Sequence, residues 1–285
     1  MKSKLWLPLL CWLFVACQSQ TKETLTQVMS FNIRYDNSED APHHWEARRD
    51  SVVNVIKKYD VDLLGMQEVL HHQLAYLKEQ LPAYESVGVG REDGETKGEY
   101  APILYKKAKY RAMKQGYFWL SETPEVAGKK GWDAACERIV TWVLLEEIAT
   151  KHSLLMMNTH FDHVGEEARR KSVDLLVAKA KELSEGGAVI ITGDFNADPK
   201  SEVITKMLDE KNVLPLFDTR LIAQSVAGTS WTFHDFGQLP LEERPLIDYI
   251  FVNEVWGVRK YEVIEDYGEV YLSDHAPVFT VLKRK

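Results

Sequence analysis

The chain has 285 residues, 45% hydrophobic and 11% aromatic, which supplies an ordinary globular core and excludes a disordered or fibrous polypeptide. Lys and Arg total 35 against 43 Asp and Glu, and the formal charge of −8 gives no bulk attraction for a polyanion, so any nucleic-acid role must rest on local groups. Three cysteines cannot build a disulfide framework, and only Cys136 falls in the part expected to fold.

At the start of the chain, Lys2 and Lys4 introduce an apolar run over residues 5–15 that is too short to span a bilayer comfortably. The run ends at Ala16-Cys17 and gives way to polar residues from Gln18 to Lys22. This order resembles a bacterial lipoprotein signal, with Phe14 where such signals usually carry Leu. The resemblance implies a signal peptide over 1–17, lipidation of Cys17, a short polar tether over 18–25 and a single domain over 26–285. It also implies a lipid anchor in the outer leaflet of a bacterial membrane, at the periplasmic or cell surface. Plain secretion and an uncleaved anchor are the alternatives. The leader carries Lys2 and Lys4 and no acid, so the mature chain is more acidic still.

Beyond Leu25 there is no linker-like tract, charge block or repeat of solenoid length. Apolar, β-branched runs predict strands at 27–31, 61–66, 103–105, 139–145, 154–157, 188–192, 249–252 and 277–282. Helical spacing predicts a helix carrying Val52, Ile56 and Tyr59. A second carries Leu70, Leu74, Leu77 and Leu81, and a third Val173, Leu176, Val177, Ala180 and Leu183. The class is α/β. The strand from Arg138 to Leu144 is apolar on both sides, as expected of a central strand covered on both faces. His43-His44 and His71-His72 are expected at the surface, and Cys136 in buried packing. Nothing calls for a protein partner, and a monomer is expected.

Polar groups then gather at the strand ends. Asn32 ends the first strand and Glu68 the second, His160 and Asp194 end later ones, Asp248 opens the next, and Ser273-Asp274-His275 precedes the last. In α/β sheets such loops converge on one crevice. Glu68, Asp194, Asp248 and Asp274 at close quarters would repel one another unless a cation sat among them. Oxygen donors without cysteine favour Mg²⁺ or Mn²⁺ over zinc. With His160 and His275 able to donate to a phosphoryl group, the set suits phosphate ester hydrolysis.

Six segments carry a resemblance. Val28-Met29-Ser30-Phe31-Asn32-Ile33-Arg34, Gly65-Met66-Gln67-Glu68-Val69, Asn158-Thr159-His160, Gly193-Asp194-Phe195-Asn196, Ile247-Asp248-Tyr249-Ile250 and Ser273-Asp274-His275-Ala276-Pro277-Val278 resemble, in order, the motifs of the endonuclease/exonuclease/phosphatase superfamily. The resemblance implies a deoxyribonuclease I-like fold, a four-layer α/β/β/α sandwich of two mainly antiparallel sheets packed face to face with helices outside. It implies Glu68 as metal ligand, with Asn32 beside it supplying an amide oxygen or orienting the phosphate, and Asp274 binding metal or supporting its neighbour. Asp194 matches the acid that activates water and Asn196 the amide that orients it. His160 and His275 match the histidines flanking the scissile phosphate, and Asp248 the acid that orients one of them, expected to be His275. Glu99 matches a glutamate supporting His160, and Arg138 an arginine facing the phosphate; both could instead be surface charges. Arg34 stands where some relatives carry a second metal-binding acid, so one tightly held metal is expected.

The substrate is less legible. Tyr117 to Pro124 and then Gly128 to Cys136 have the look of a loop beside the cleft, in which Trp132 could stack on a base or sugar or pack under the loop, and Trp231 to Phe236 could form a wall of the cleft or part of the core. These segments resemble the subgroup nearest nocturnin and the carbon-catabolite-repression deadenylases. A monoester would call for more cations than Arg34 and Arg138, so the expectation is a phosphodiesterase. The alternatives are a phosphomonoesterase for sugar or inositol phosphates, and a surface lipoprotein that binds without catalysis. The intact acid and histidine set speaks against the last.

Overall fold

Among the described residues, 24–265 and 271–285 of the computed structural model, thirteen strands form two sheets. In chain order they are β1 (Leu25–Asn32), β2 (Leu63–Gln67), β3 (Tyr84–Val87), β4 (Ile103–Lys106), β5 (Tyr110–Trp119), β6 (Ile139–Glu147) and β7 (Ser153–His160). They continue with β8 (Ala188–Asp194), β9 (Phe217–Asp218), β10 (Val226–Gly228), β11 (Asp248–Val252), β12 (Trp256–Val263) and β13 (Val278–Arg284). The helices are α1 (Trp45–Lys58), α2 (His71–Gln80), α3 (Glu166–Leu183), α4 (Glu202–Met207) and α5 (Thr219–Ile222). The signal, Cys17 and most of the tether lie outside the described residues.

One sheet runs β10-β12-β13-β1-β2-β4-β3 and the other β5-β6-β7-β8-β11-β9. Most neighbours are antiparallel, but β1 and β2 pair in parallel, as do β7 and β8 and the short edge strand β10 with β12. A parallel pair needs a crossover, and α1 supplies it between β1 and β2 and α3 between β7 and β8. Val28, Leu63 and Ile103 of the first sheet meet Val143, Met156 and Ile190 of the second in a shared core. On the outer face of the first sheet, Met29, Phe31 and Leu64 pack on Val52 and Ile56 of α1 and Leu77 of α2. On the outer face of the second, Leu155, Met157 and Val189 pack on Val173, Leu176 and Val177 of α3. The result is the four-layer α/β/β/α sandwich expected from the motifs.

This topology gathers the polar strand ends. The C-terminal ends of β1, β2, β7 and β8 share one edge of the sandwich, and the antiparallel β11 and β13 begin there. His160 pairs with Asp194 across β7 and β8, and Asp194 with Asp248 across β8 and β11. Just beneath, the two sheets approach closely: a Cβ on Gly65 would fall 2.0 Å from Thr192 Oγ1 and 2.5 Å from Asn158 Oδ1. The space goes to a buried polar tie. Asn158 accepts from Gln67 Nε2 at 2.7 Å and donates to the carbonyls of Met66 and Pro102, joining the sheets under the site.

Five strands fall outside the eight expected, β3, β5, β9, β10 and β12, of which β5 is the longest. Tyr117 to Trp119 read as part of a loop beside the cleft, yet they end β5 and pair with β6. β5 is an edge strand whose middle faces solvent, so Arg111, Lys114 and Gln115 break the apolar run that marks a central strand.

Candidate active site

Asn32, Glu68, His160, Asp194, Asn196, Asp248, Asp274 and His275 come together at the shared edge. Asn32 lies at their centre. Its Nδ2 donates to Glu68 Oε1 and to Asp194 Oδ2, each at 3.1 Å, and its Oδ1 accepts from Arg34 N at 3.0 Å. In this arrangement Asn32 orients two carboxylates across the gap between the sheets, while its oxygen is turned away from them. Asp194 Oδ1 also accepts from Asn196 N at 2.9 Å. Glu68 adopts a left-handed backbone, φ 59°, a conformation that persists only where surroundings enforce it.

The two histidines are held in opposite states. His275 donates from Nδ1 to Asp248 Oδ2 at 2.8 Å. Burial alone would lower its pKa, but the carboxylates of Asp248, Asp194 and Asp274 raise it to about 10, so the ring is cationic. His160 is pushed well below its ordinary value by burial and by Arg138 and Arg91. Its Nε2 accepts from Asn196 Nδ2 at 3.0 Å, which fits a neutral ring. Environments that push paired groups apart in this way mark acid and base assignments. Burial, with Asp248 beside it, raises Asp194 to about 7. Burial also raises Asp274 and Glu99, with Glu68 adding to both.

The remaining expectations divide. Glu99 approaches His160 Nδ1 only to 3.9 Å and instead binds Arg91 at 2.7 Å. Arg138 lines the cavity, with Nε 3.4 Å from Asp162 Oδ2 and Nη2 donating to His163 Nδ1 at 3.0 Å. Cys136 is half-buried against the cavity rather than in core packing. Phe233 lies tilted against His275, ring centroids 4.9 Å apart, and forms one wall, whereas Trp231 is core. Trp132 is not among the residues lining the cavity. His71 and His72 are exposed, while His43 is half-buried and stacks on Phe236.

Sequence reading missed three residues. Arg91 lies in the β3–β4 connection and reaches a cavity of about 730 Å³ that also exposes Asp194, Arg34 and Arg138. Arg48 is fully buried in α1 and donates to the carbonyls of Ile33, Arg34, His43 and Leu272. Asp162 accepts from the backbone N–H groups of Ala135, Cys136, Val164 and Gly165. Burial alone would raise it, but those donors hold it well below the carboxylate range. Its stabilisation is complete above the unfolded value of roughly 4 and is lost as pH falls through its depressed folded value. Asp162→Asn is therefore expected to lower stability at pH 7 by about 2–3 kcal/mol, the gap to wild type shrinking below about pH 4. Urea unfolding at pH 7 and pH 3 measures both, and an equal gap at the two pH values would contradict the assignment.

Two groups among the described residues bring possible metal-ligand atoms within 4.8 Å: Asp194, Asp248 and His275, and Cys136, Asp162 and His163. The second is unsuited to a cation, since Asp162 is already saturated by N–H donors and Arg138 stands beside it. The first adjoins Glu68 and Asp274. Carboxylates whose pKa values rise through burial and mutual repulsion, joined by an amide, make an oxygen-rich set that fits a hard divalent ion.

Comparison with known proteins matches residues 29–275 to the Endonuclease/Exonuclease/phosphatase family. An endonuclease/exonuclease/phosphatase from Bacteroides vulgatus superposes with a TM-score of 0.89 at 42% identity, covering 92% of this chain and 100% of that one. A mannosyl-6-phosphatase from Bacteroides thetaiotaomicron superposes at 0.85 with 35% identity, covering 90% and 99%. The human nocturnin catalytic domain shares the fold, TM-score 0.72, at 18% identity over 92% of this chain and 95% of its own.

Proposed function

The chain belongs to the endonuclease/exonuclease/phosphatase family, and on that footing we propose that it is a divalent-cation-dependent phosphomonoesterase for a phosphorylated sugar or a similarly small polar alcohol. One observation carries the monoester. Arg138 Nη1 and Arg91 Nε are buried beside the cavity with no hydrogen-bond acceptor, a costly state that a dianionic phosphate offering more oxygens would relieve. The diester expected from sequence rested on Arg34 and Arg138 alone, and Arg91 removes that ground. The similarity to a mannosyl-6-phosphatase supports the same reading.

Glu68 would hold the cation, with the Asp274 carboxylate adding negative charge nearby, and when bound the cation would supply Lewis-acid polarisation of a phosphoryl oxygen. Asp194 takes a proton from the attacking water, and Asn32 and Asn196 fix its carboxylate for that task. The water oxygen bonds to phosphorus as the bond to the leaving oxygen breaks in line, and the leaving oxygen takes a proton from solvent. Cationic His275, oriented by Asp248, offers its Nε2 proton to the charge that develops. Neutral His160 is held by Asn196 for a hydrogen bond to the phosphoryl group.

Turnover of nitrophenyl phosphate is expected to exceed that of its bis-nitrophenyl diester at least tenfold, an estimate from the strength of the added charge-assisted contacts. Chelator should abolish it, and Mg²⁺ or Mn²⁺ should restore it. Faster diester turnover would reverse the substrate class, and chelator-resistant turnover would remove the cation. We also propose that Cys17 anchors the chain to a membrane, a reading supported by the lipoprotein-like order of its first residues. Cys17→Ser should then move the protein from the membrane fraction to the soluble one, and retention would rule the anchor out.

A further inference from the structure

Arg34 occupies an unusual position for a cation in a site built for a metal. Its guanidinium binds Asp40 through two contacts, Nε at 2.8 Å and Nη2 at 3.0 Å, and stacks over the Tyr35 ring at 4.3 Å. It also stands 3.8 Å from Glu68 Oε2 and 3.8 Å from Asp274 Oδ2. Three carboxylates from separate loops thus surround one guanidinium.

The backbone leaves it little freedom. Arg34 is left-handed, φ 58°; its N–H donates to Asn32 Oδ1, and its carbonyl accepts from Arg48 at 2.8 Å and Gln73 at 3.1 Å. The guanidinium addresses only one side of each acid. Glu68 turns Oε2 toward Arg34 but Oε1 toward Asn32, on the side of Asp194. Asp274 turns Oδ2 toward Arg34, while Oδ1 accepts from Ser273.

We propose that Arg34 is a built-in countercation that takes up the Glu68 Oε2 and Asp274 Oδ2 side of the acid cluster, so that the site holds a single divalent ion on the Asn32 side. The inference rests on the cation dependence argued above. A fixed positive charge among these acids offsets their repulsion without a second ion, and it repels one that would approach the same oxygens. Arg34 is in this sense a positioning residue for the acids.

Calorimetric titration of Mn²⁺ into the chelator-treated full chain tests it, with folding checked by thermal melting. Wild type is expected to bind one Mn²⁺, and Arg34→Asp, whose residue tolerates the left-handed backbone, to bind two. Should Arg34→Asp fail to fold, Arg34→Asn keeps the backbone compatible and adds no charge. It is expected to bind its first Mn²⁺ about tenfold more tightly through loss of one nearby positive charge. Two ions in wild type, one in folded Arg34→Asp, or unchanged or weaker binding in Arg34→Asn would each overturn the inference while leaving cation dependence intact. No binding in wild type would sink both.

Discussion

Asp194→Asn is expected to reduce turnover of nitrophenyl phosphate by about 10²–10⁴-fold, the usual contribution of a positioned general base. The substitution preserves shape: Oδ1 still accepts from Asn196 N, and Asn32 Nδ2 retains Glu68 Oε1 as acceptor. What disappears is the ability to take a proton. Stability should move the other way. The Asp194 carboxyl is raised by burial to about 7, so in chelator the fold bears the cost of its ionisation as pH climbs from the unfolded value of roughly 4. Below about pH 4 the acid is protonated in both states and the cost is absent; above about pH 7 it is complete. Asp194→Asn should therefore melt higher than wild type at pH 8 with chelator present, with no such advantage at pH 4. Turnover above one tenth of wild type would take the role of base away from Asp194. Lost turnover with a lower melting point at pH 8 would instead point to collapse of the site.

Most of this site could be read before folding because its residues interrupt apolar runs. Glu68 follows Leu63-Leu64-Gly65-Met66-Gln67, Asp194 ends Ala188 to Gly193, and His160 ends Ser153 to Thr159. A polar group at the end of a buried strand is visible locally, and parallel pairing then sends those ends to one edge. Arg91 has no such signal. It lies among charged residues in the β3–β4 connection, and only the pairing of those strands and the Arg91–Glu99 contact bring it to the cavity. Glu99 shows the same limit: the strand that follows it was legible, but its partner depended on where Arg91 fell. Arg48 did carry a signal. It lies on the stripe of Trp45, Val52 and Ile56, where an apolar residue would be expected. A charge on the buried face of an amphipathic helix needs partners, and periodicity cannot say which.

Those partners make Arg48→Met the substitution with the largest expected cost to the fold. Burial lowers Arg48 only to about 10, so it remains cationic at neutral pH. Its partners are carbonyls: Nε donates to His43, Nη1 to Leu272 and Ile33, and Nη2 to Arg34. Ile33 and Arg34 follow β1, and Leu272 precedes the segment bearing Asp274 and His275. The fork therefore joins the two loops that supply Arg34 and His275 to the site. Methionine fills the volume but leaves the carbonyls of Ile33, His43 and Leu272 without their Arg48 donor, while that of Arg34 keeps Gln73, a loss of about 3–5 kcal/mol against a typical domain stability of about 5–15. Arg48→Lys keeps the charge but cannot reproduce the planar fork, and about half that loss is expected. Turnover of the fraction that stays folded should also fall, on the order of 10²-fold, because a shift of about 1 Å between those loops separates His275 from the phosphoryl group. Urea unfolding and turnover measured on both variants separate the two effects. If Arg48→Lys matched wild type in both, the fork would be packing alone; a loss of turnover larger than the unfolded fraction accounts for would show that the buried guanidinium sets the register of the catalytic loops.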